Sequence, residues 1–133
     1  MGYLLDTHVC LWAIAEDEKL SANVKGIFSD KKAEIFFSPI SLWEIAIKFK
    51  IGKFPQFTST LSDFIQELRL ANFRLLPIKN EHLVHYFNFP FFQEAHKDPF
   101  DRLLLATANY EGLQFITKDE KFDGYAARLP VVW

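Results

Sequence analysis

The chain has 133 residues, half of them hydrophobic, and a formal net charge of −2. This length predicts one domain, the apolar content excludes intrinsic disorder, and the charge balance excludes a strongly cationic nucleic-acid binder. The single cysteine, Cys10, cannot form an internal disulfide. No window has the roughly 18 apolar residues of a membrane span, and the N-terminus lacks the pattern of a secretion signal. We therefore expect a single domain over residues 1–133, located in the cytoplasm.

The first half of the chain alternates short apolar runs with longer amphipathic stretches. A short apolar run is typical of a buried strand, whereas apolar residues at intervals of three and four predict a helix. Gly52 follows the helical stripe of Leu42, Ile45 and Phe49, and it is expected to end that helix. The predicted elements are a strand at 2–5, helices at 7–15 and 20–29, a strand at 34–38, and helices at 41–51 and 60–70.

The second half continues this alternation. Its clearest element is a helix at 99–110, because Asp98 is a favourable N-cap, Pro99 suits the first helical position and Gly112 lies just past the end. Strands separated by helices form βαβ units, so we expect a three-layer α/β/α domain with a mostly parallel central sheet. Ligands of such sheets bind beyond the carboxyl ends of the strands. The other predicted elements are a strand at 73–76, a helix at 80–87, and strands at 113–117 and 131–132.

Four acidic residues fall at element ends where this rule places a site. Converging carboxylates repel one another and raise each other's pKa values, and a hard divalent cation removes that conflict. Such an ion can also orient a phosphodiester and activate water, so the pattern points to metal-assisted phosphodiester hydrolysis. The four acids, each from a different element, are Asp6, Glu44, Asp101 and Asp119.

Each of these acids also has a purely structural interpretation. Ser41 and Glu44 fit the S-x-x-E capping box, and Asp98 and Asp101 occupy helix positions at which acids are favoured. The two acids that follow strands can cap the helical segments after them. On spacing alone, a metal site and a set of helix caps therefore both stay open.

Four sequence segments together carry a resemblance to a known family. They are LDTH at 5–8, SLWEIAIK at 41–48, DPFDRLLLA at 98–106 and ITKD at 116–119. In this order they resemble the PIN-domain ribonuclease toxins of type II toxin–antitoxin modules, the VapC family, over nearly the whole chain. The resemblance implies a PIN-like fold, endoribonuclease activity that depends on Mg²⁺ or Mn²⁺, and inhibition by a small cognate antitoxin.

The resemblance also assigns roles to positions in this chain. Asp6 and Asp101 would hold the principal metal ion, and the hydroxyls of Thr7 and Thr117 would orient neighbouring carboxylates. Asp98 is expected to cap its helix and to support the site. The catalytic and metal-binding set implied by the family is Asp6, Glu44, Asp101 and Asp119.

Basic and aromatic residues bear on the partners. Lys48 and Arg102 are candidate contacts for the RNA backbone, although Lys48 equally fits an ordinary ion pair with Glu44. Most of the fifteen phenylalanines are expected in the core, and the others suggest an exposed apolar surface for a partner. The resemblance implies that its partners are a second toxin copy, in a homodimer or larger assembly, and an antitoxin segment. The aromatic run at 86–92, which precedes His96, departs from the family pattern.

Other functions require residues that this chain places differently. A response-regulator receiver needs an acidic pair after the first strand, and a haloacid-dehalogenase-like phosphatase needs a second Asp where His8 stands. A zinc site built from His82, His85 and His96 lacks a matching cysteine pair, so these histidines are expected to have structural or surface roles. A non-catalytic protein-binding module on the same fold remains the alternative, because it would bind its partner without needing the acids.

Overall fold

A computed structural model describes residues 1–54, 57, 60–91, 98–125 and 128–133 of the chain. The predicted elements are confirmed to within about two residues at their ends, and two short 3-10 segments that were not predicted are added. Their bounds, in chain order, are β1 (Gly2–Leu5), α1 (Thr7–Ala15), a 3-10 turn (Asp17–Lys19), α2 (Ala22–Ser29), β2 (Glu34–Phe37), α3 (Pro39–Lys50), α4 (Leu61–Leu70), β3 (Arg74–Leu75), α5 (Asn80–Asn88), α6 (Pro99–Glu111), β4 (Gln114–Ile116), a second 3-10 segment (Glu120–Tyr125) and β5 (Val131–Val132).

The five strands form one sheet in the order β3-β2-β1-β4-β5, and every neighbouring pair is parallel. The chain adds β2 and β3 on one side of β1 and then crosses to add β4 and β5 on the other. β1 and β4, paired at Leu4 and Phe115, therefore flank the point where the winding direction reverses. In open parallel sheets this point is where ligands bind.

Helices cover both faces of the sheet, because successive strand residues point to opposite sides. Leu5 and Ile116 belong to a core shared with α1, α2, α3 and α4. Leu4 and Phe115 belong to a second core, shared with α6 and the second 3-10 segment. The predicted three-layer α/β/α architecture is thus confirmed. Across the part of the chain with a described structure, no helix has the length and apolar character needed to cross a membrane.

The start of α3 differs from the prediction. The helix begins at Pro39, because the Ser38 hydroxyl caps it by accepting the Ile40 N–H at 3.0 Å. The capping box expected at Ser41 and Glu44 is therefore wrong. Both side chains lie inside the helix, and Glu44 falls in its second turn, where its carboxylate has no capping role.

Both predicted helix ends that depend on glycine are confirmed. Gly52 has φ +74° after α3, and Gly112 has φ +68° after α6, which is left-handed backbone that favours glycine. At the other end of α6, Asp98 Oδ1 accepts the N–H of Phe100 at 2.8 Å, and Pro99 occupies the first helical position. The cap fixes where α6 starts, and so it fixes the position of Asp101 in the first turn.

Candidate functional site

A cavity of about 680 Å³ opens at the carboxyl ends of β1 and β4. It contains all four of the predicted acids, which arrive from the end of β1, from α3, from the start of α6 and from the segment after β4. Its lining residues are Asp6, Thr7, His8, Val9, Trp12, Glu44, Lys48, Asp98, Asp101, Lys118, Asp119, Glu120 and Lys121. The fold therefore brings together side chains that are far apart in the sequence.

Asp6 is the most buried of these acids, with 6% of its surface exposed. Its Oδ1 accepts the Thr7 N–H at 2.8 Å, and its Oδ2 accepts the Thr117 hydroxyl at 2.7 Å. The pKa of Asp6 is raised to about 7, chiefly because burial disfavours the charged form; the charges of Asp101 and Glu44 add to this rise, and the two hydrogen bonds oppose it. The charged form of Asp6 is thus disfavoured unless a cation lies nearby.

Glu44 projects from α3 and is 8% exposed. Its Oε1 accepts the Thr7 hydroxyl at 2.8 Å, and its Oε2 pairs with Lys48 Nζ at 3.1 Å. The Ser41 hydroxyl lies 3.0 Å from the Thr7 hydroxyl. Because Thr7 has one hydroxyl proton and uses it on Glu44, Ser41 donates to Thr7. The ion pair considered for Lys48 is therefore present.

Thr117 links Asp6 to the chain segment after β4. Its hydroxyl donates to Asp6 and accepts the Asp119 N–H at 3.0 Å. Asp119 Oδ1 in turn accepts the Lys121 N–H at 3.0 Å, so this acid also caps the second 3-10 segment. Capping and lining the cavity are therefore compatible, and Asp6 and Asp119 do both.

The cations at the cavity differ in part from those expected. Lys48 lines it, but Arg102 does not, and its guanidinium carbon lies 5.2 Å from the ring centroid of Phe91. Lys118 and Lys121, which sequence reasoning missed, line the cavity on either side of Asp119. Their position next to an acid already selected was the only signal for them in the sequence.

His8 also lines the cavity, on the first turn of α1. Desolvation lowers the pKa of its imidazole, and the nearby Lys48 ammonium lowers it further. The carboxylates of Glu44, Asp101 and Asp119 act in the opposite direction but are smaller influences. The imidazole is therefore held mainly in its neutral form near pH 7.

The donor set suits a hard divalent cation. The acidic and hydroxyl oxygens are the ligands that Mg²⁺ and Mn²⁺ prefer, and the mutual repulsion felt by buried Asp6 is the kind that a cation relieves. Among the residues with described positions, however, no three His, Cys, Asp or Glu side chains are already arranged to hold a metal ion. The carboxylates thus share a cavity without forming a closed ligand cage.

The histidines of the zinc alternative have protein partners. His82 is fully buried, accepts the Lys79 N–H at Nδ1 and lies 2.6 Å from Glu111 through Nε2. His85 Nε2 lies 2.7 Å from Asn109 Oδ1. The structural roles expected for these two histidines are confirmed. His96 and the end of the aromatic run at 92 lie outside the described residues.

Comparison with protein families gives one match. The family described as PIN domain matches residues 3–128, which is nearly the whole chain. No curated protein sequence matches the chain.

Several solved structures share the fold. VapBC2 from Rickettsia felis, bound to a DNA fragment from its promoter, is 20% identical, with coverage of 99% of this chain and 98% of that chain and a TM-score of 0.70. VapBC-1 from nontypeable Haemophilus influenzae is 16% identical, with 99% and 97% coverage and a TM-score of 0.69. A toxin–antitoxin complex from Klebsiella pneumoniae is 19% identical, with 98% and 96% coverage and a TM-score of 0.60. At these identities the likeness concerns the fold.

Proposed function

The chain belongs to the PIN-domain family, and from this we propose that it is a metal-dependent endoribonuclease, the toxin of a type II toxin–antitoxin system. One observation supports the proposal above the others. Four acids from four separate elements line a single cavity at the reversal point of the sheet. A purely structural set of caps would not need to converge there.

The roles of the residues follow from their contacts. Asp6 and Asp101 would hold a Mg²⁺ or Mn²⁺ ion, with Glu44 and Asp119 as further ligands, direct or through water. When bound, the ion supplies Lewis-acid activation of water and neutralises charge on the phosphate. Thr7 and Thr117 fix the directions of Glu44 and Asp6 through their hydroxyls. Because these hydrogen bonds already order the carboxylates, cation binding costs less side-chain entropy.

Cations at the cavity rim would bind the RNA backbone. Lys48, Lys118 and Lys121 line the cavity together with the acids, so positive charge is close to any phosphate that enters it. Arg102 stays a candidate RNA contact outside the cavity. A local rim of lysines reconciles RNA binding with a net charge of −2.

The proposed partners are a cognate antitoxin and a second copy of the chain. The antitoxin is supported by the fold shared with VapBC and other toxin–antitoxin complexes over almost the full length of both chains. The second copy is supported by an exposed apolar groove between α3, α5 and α6, which Trp43, Leu83 and Phe100 help to line. We assign the protein to the cytoplasm, where the buried and unpaired Cys10 would remain reduced.

The test is cleavage of RNA by the purified protein. Total RNA is incubated with Mg²⁺, with Mn²⁺ or with a chelator, and the new ends are mapped. We expect cleavage only with a divalent ion, and we expect Asp101→Asn to lower its rate at least about a hundredfold. Asp30→Asn is the matched control, because Asp30 is an exposed acid outside the cavity and its capping contact to the Lys32 N–H suits asparagine equally well.

One observation favours the alternative of a non-catalytic binding module, namely that the described carboxylates do not form a closed ligand cage. This alternative predicts that the protein binds its partner in the absence of divalent ions and that Asp101→Asn binds equally well. Failure of the protein to cleave RNA with either metal, together with intact partner binding, would establish the alternative in place of the nuclease.

A further inference from the structure

One wall of the cavity is aromatic. His8 and Trp12 lie one helical turn apart on α1, both line the cavity, and their ring centroids are 5.9 Å apart. The indole of Trp12 is partly buried against the core, and it packs edge-to-face with Trp133, with ring centroids 5.8 Å apart and an interplanar angle of 66°. Trp12 is therefore held in place from the protein side while part of its ring faces the cavity.

Two lysine ammonium groups lie close to the Trp12 ring. Lys118 Nζ lies 6.0 Å from the Trp12 ring centroid, and Lys19 Nζ lies 5.9 Å from it. Lys118 is exposed and lines the same cavity, so a flexible side chain reaches the indole from solvent. Aromatic surfaces that attract cations in this way also stack with nucleobases.

A nucleotide needs two kinds of contact that this cavity places side by side. Its phosphate needs positive charge, which Lys48 and Lys118 provide, and its base needs a flat apolar surface, which Trp12 provides. A base inside a duplex has both faces covered by its neighbours, so only an unpaired base can stack on a protein ring. The combination fits a single-stranded nucleic acid, and the proposed function identifies that nucleic acid as RNA.

We propose that Trp12 is a stacking platform for one unpaired base beside the phosphate that is cleaved, and that Lys118 then contacts the adjoining phosphate instead of the ring. This subsite rests on the proposed function, because a base reaches Trp12 only if RNA enters the cavity. It adds a determinant of the cleavage position that lies outside the acidic set.

The test measures binding separately from cleavage. A labelled ten-nucleotide single-stranded RNA of mixed sequence is titrated into Asp101→Asn protein that carries Trp12, Trp12→Phe or Trp12→Leu. We expect Trp12→Leu to raise Kd about tenfold or more and Trp12→Phe to raise it less, because phenylalanine keeps a smaller stacking surface. Phe87→Leu is the control, since it removes an aromatic ring that is 86% exposed and does not line the cavity.

Abasic RNAs separate stacking from support of the fold. Each base of the same RNA is removed in turn, and we expect one position at which removal weakens binding to the Trp12 protein about as much as Trp12→Leu does. At that position the abasic RNA should bind the Trp12→Leu protein little worse than the intact RNA does, because the two changes remove the same contact. If circular dichroism shows that Trp12→Leu is unfolded, Trp12→Phe and the abasic series on the Trp12 protein decide the question.

The outcomes distinguish this subsite from the function on which it rests. Cleavage by the unmodified protein, combined with equal Kd values for Trp12→Leu and its parent, overturns the subsite and leaves the nuclease intact. An equal loss for intact and for every abasic RNA also overturns it, because Trp12 would then only support the fold. Absence of both RNA binding and RNA cleavage in the unmodified protein overturns the proposed function, and the subsite with it.

Discussion

The hydroxyl of Thr7 is a single group that fixes the direction of a buried carboxylate. It donates to Glu44 at 2.8 Å, while the Thr7 backbone N–H donates to Asp6 at 2.8 Å. Thr7→Val removes only the hydroxyl, so we expect kcat/KM for RNA cleavage to fall about 10- to 100-fold, as is typical for a group that orients a metal ligand. Thr7→Ser restores the donor and should stay within a few-fold of the unmodified protein.

The same substitution has a cost in stability. Glu44 is almost fully buried and loses one hydrogen bond in Thr7→Val, so we expect the free energy of unfolding to fall by about 1–3 kcal/mol. Denaturant unfolding measures this directly. Equal cleavage rates for Thr7→Val and Thr7→Ser would show that the hydroxyl has no part in positioning the site.

The burial of Asp6 predicts a dependence of stability on pH in the absence of metal. Its pKa is raised from 3.8 to about 7 in the folded protein, so the folded state binds more protons than the unfolded state between these values. Stability is therefore highest below about pH 4 as far as Asp6 is concerned, and it declines as pH rises through about 7. From below about pH 4 to neutral pH, the contribution of Asp6 to the free energy of unfolding therefore falls by roughly 4 kcal/mol. Thermal unfolding in a chelator, from about pH 5 to about pH 8, measures the decline.

Asp6→Asn isolates this contribution. Asparagine keeps the N-cap of α1 but has no titrating group, so the Tm difference between the variant and the unmodified protein should grow in favour of the variant as pH rises. Added Mg²⁺ should stabilise the unmodified protein more than the variant, because the ion offsets the buried charge. Parallel pH profiles for the two proteins would contradict the raised pKa.

At the level of single residues, the sequence pointed to four acids that the structure places in one cavity, but not to the rest of the cavity lining. Asp6 and Asp119 could be found because each follows a predicted strand. Trp12 could not be found as a cavity residue, because its helical stripe fits core packing equally well, and the indole in fact does both. Whether a half-buried ring faces the core or a cavity depends on how α1 is rotated against the sheet, and only the packed structure fixes that rotation.

Among the helices, α6 begins with Asp98, whose capping role and catalytic role can be tested separately by substitution. This side chain is exposed, lines the cavity and accepts the Phe100 N–H at 2.8 Å, so it has both a structural and a chemical interpretation. Asp98→Asn keeps the cap and removes the charge, whereas Asp98→Ala removes both. If Asp98 is only a cap, Asp98→Asn should cleave RNA within a few-fold of the unmodified protein, and Asp98→Ala should lose about 1 kcal/mol of stability.

Both readouts are needed for Asp98. Tm reports the cap, and kcat/KM at saturating Mg²⁺ reports the charge. A large loss of cleavage in Asp98→Asn at unchanged Tm would contradict the cap-only role and would place Asp98 among the metal ligands.

The start of α3 shows why element ends are predicted less well than elements. Ser41 and Glu44 satisfy the S-x-x-E pattern, but three residues earlier Ser38 is a favourable N-cap and is followed by Pro39. The earlier start prevails because Pro39 is already suited to the first helical turn and Ser38 accepts the Ile40 N–H. As a result, Glu44 is not a capping residue, and its side chain lines the cavity.

For the whole molecule, the sequence pattern does not predict the order of the strands in the sheet. Alternating strands and helices predict a parallel sheet, yet they do not say that β4 pairs with β1 and not with β3. That pairing places Thr117 beside Asp6 and creates the reversal point at which the acids meet. The rule that ligands bind beyond the carboxyl ends of parallel strands predicted that the acids converge, and the family resemblance added the role of Thr117 beside them.

The apolar groove between α3, α5 and α6 predicts self-association of the molecule. It has a volume of about 580 Å³, and its described lining carries no charged side chain. Trp43, one of its lining residues, is 64% exposed, which is costly for an indole unless a partner covers it. Interfaces between identical chains are the most apolar class, so we expect a second copy to cover this groove. Its lining residues are Pro39, Ile40, Trp43, Ile78, Leu83, Tyr86, Pro99, Phe100 and Leu103.

Trp43→Glu tests this expectation, because a charge placed within an apolar interface is left without a partner. We expect light scattering after gel filtration to give the mass of a dimer for the unmodified protein and that of a monomer for Trp43→Glu. Leu70→Glu is the matched control, because Leu70 is 73% exposed on α4 and does not line the groove. If Trp43→Glu remains dimeric and instead loses binding to the antitoxin, the groove belongs to the antitoxin and the dimer must form through another face.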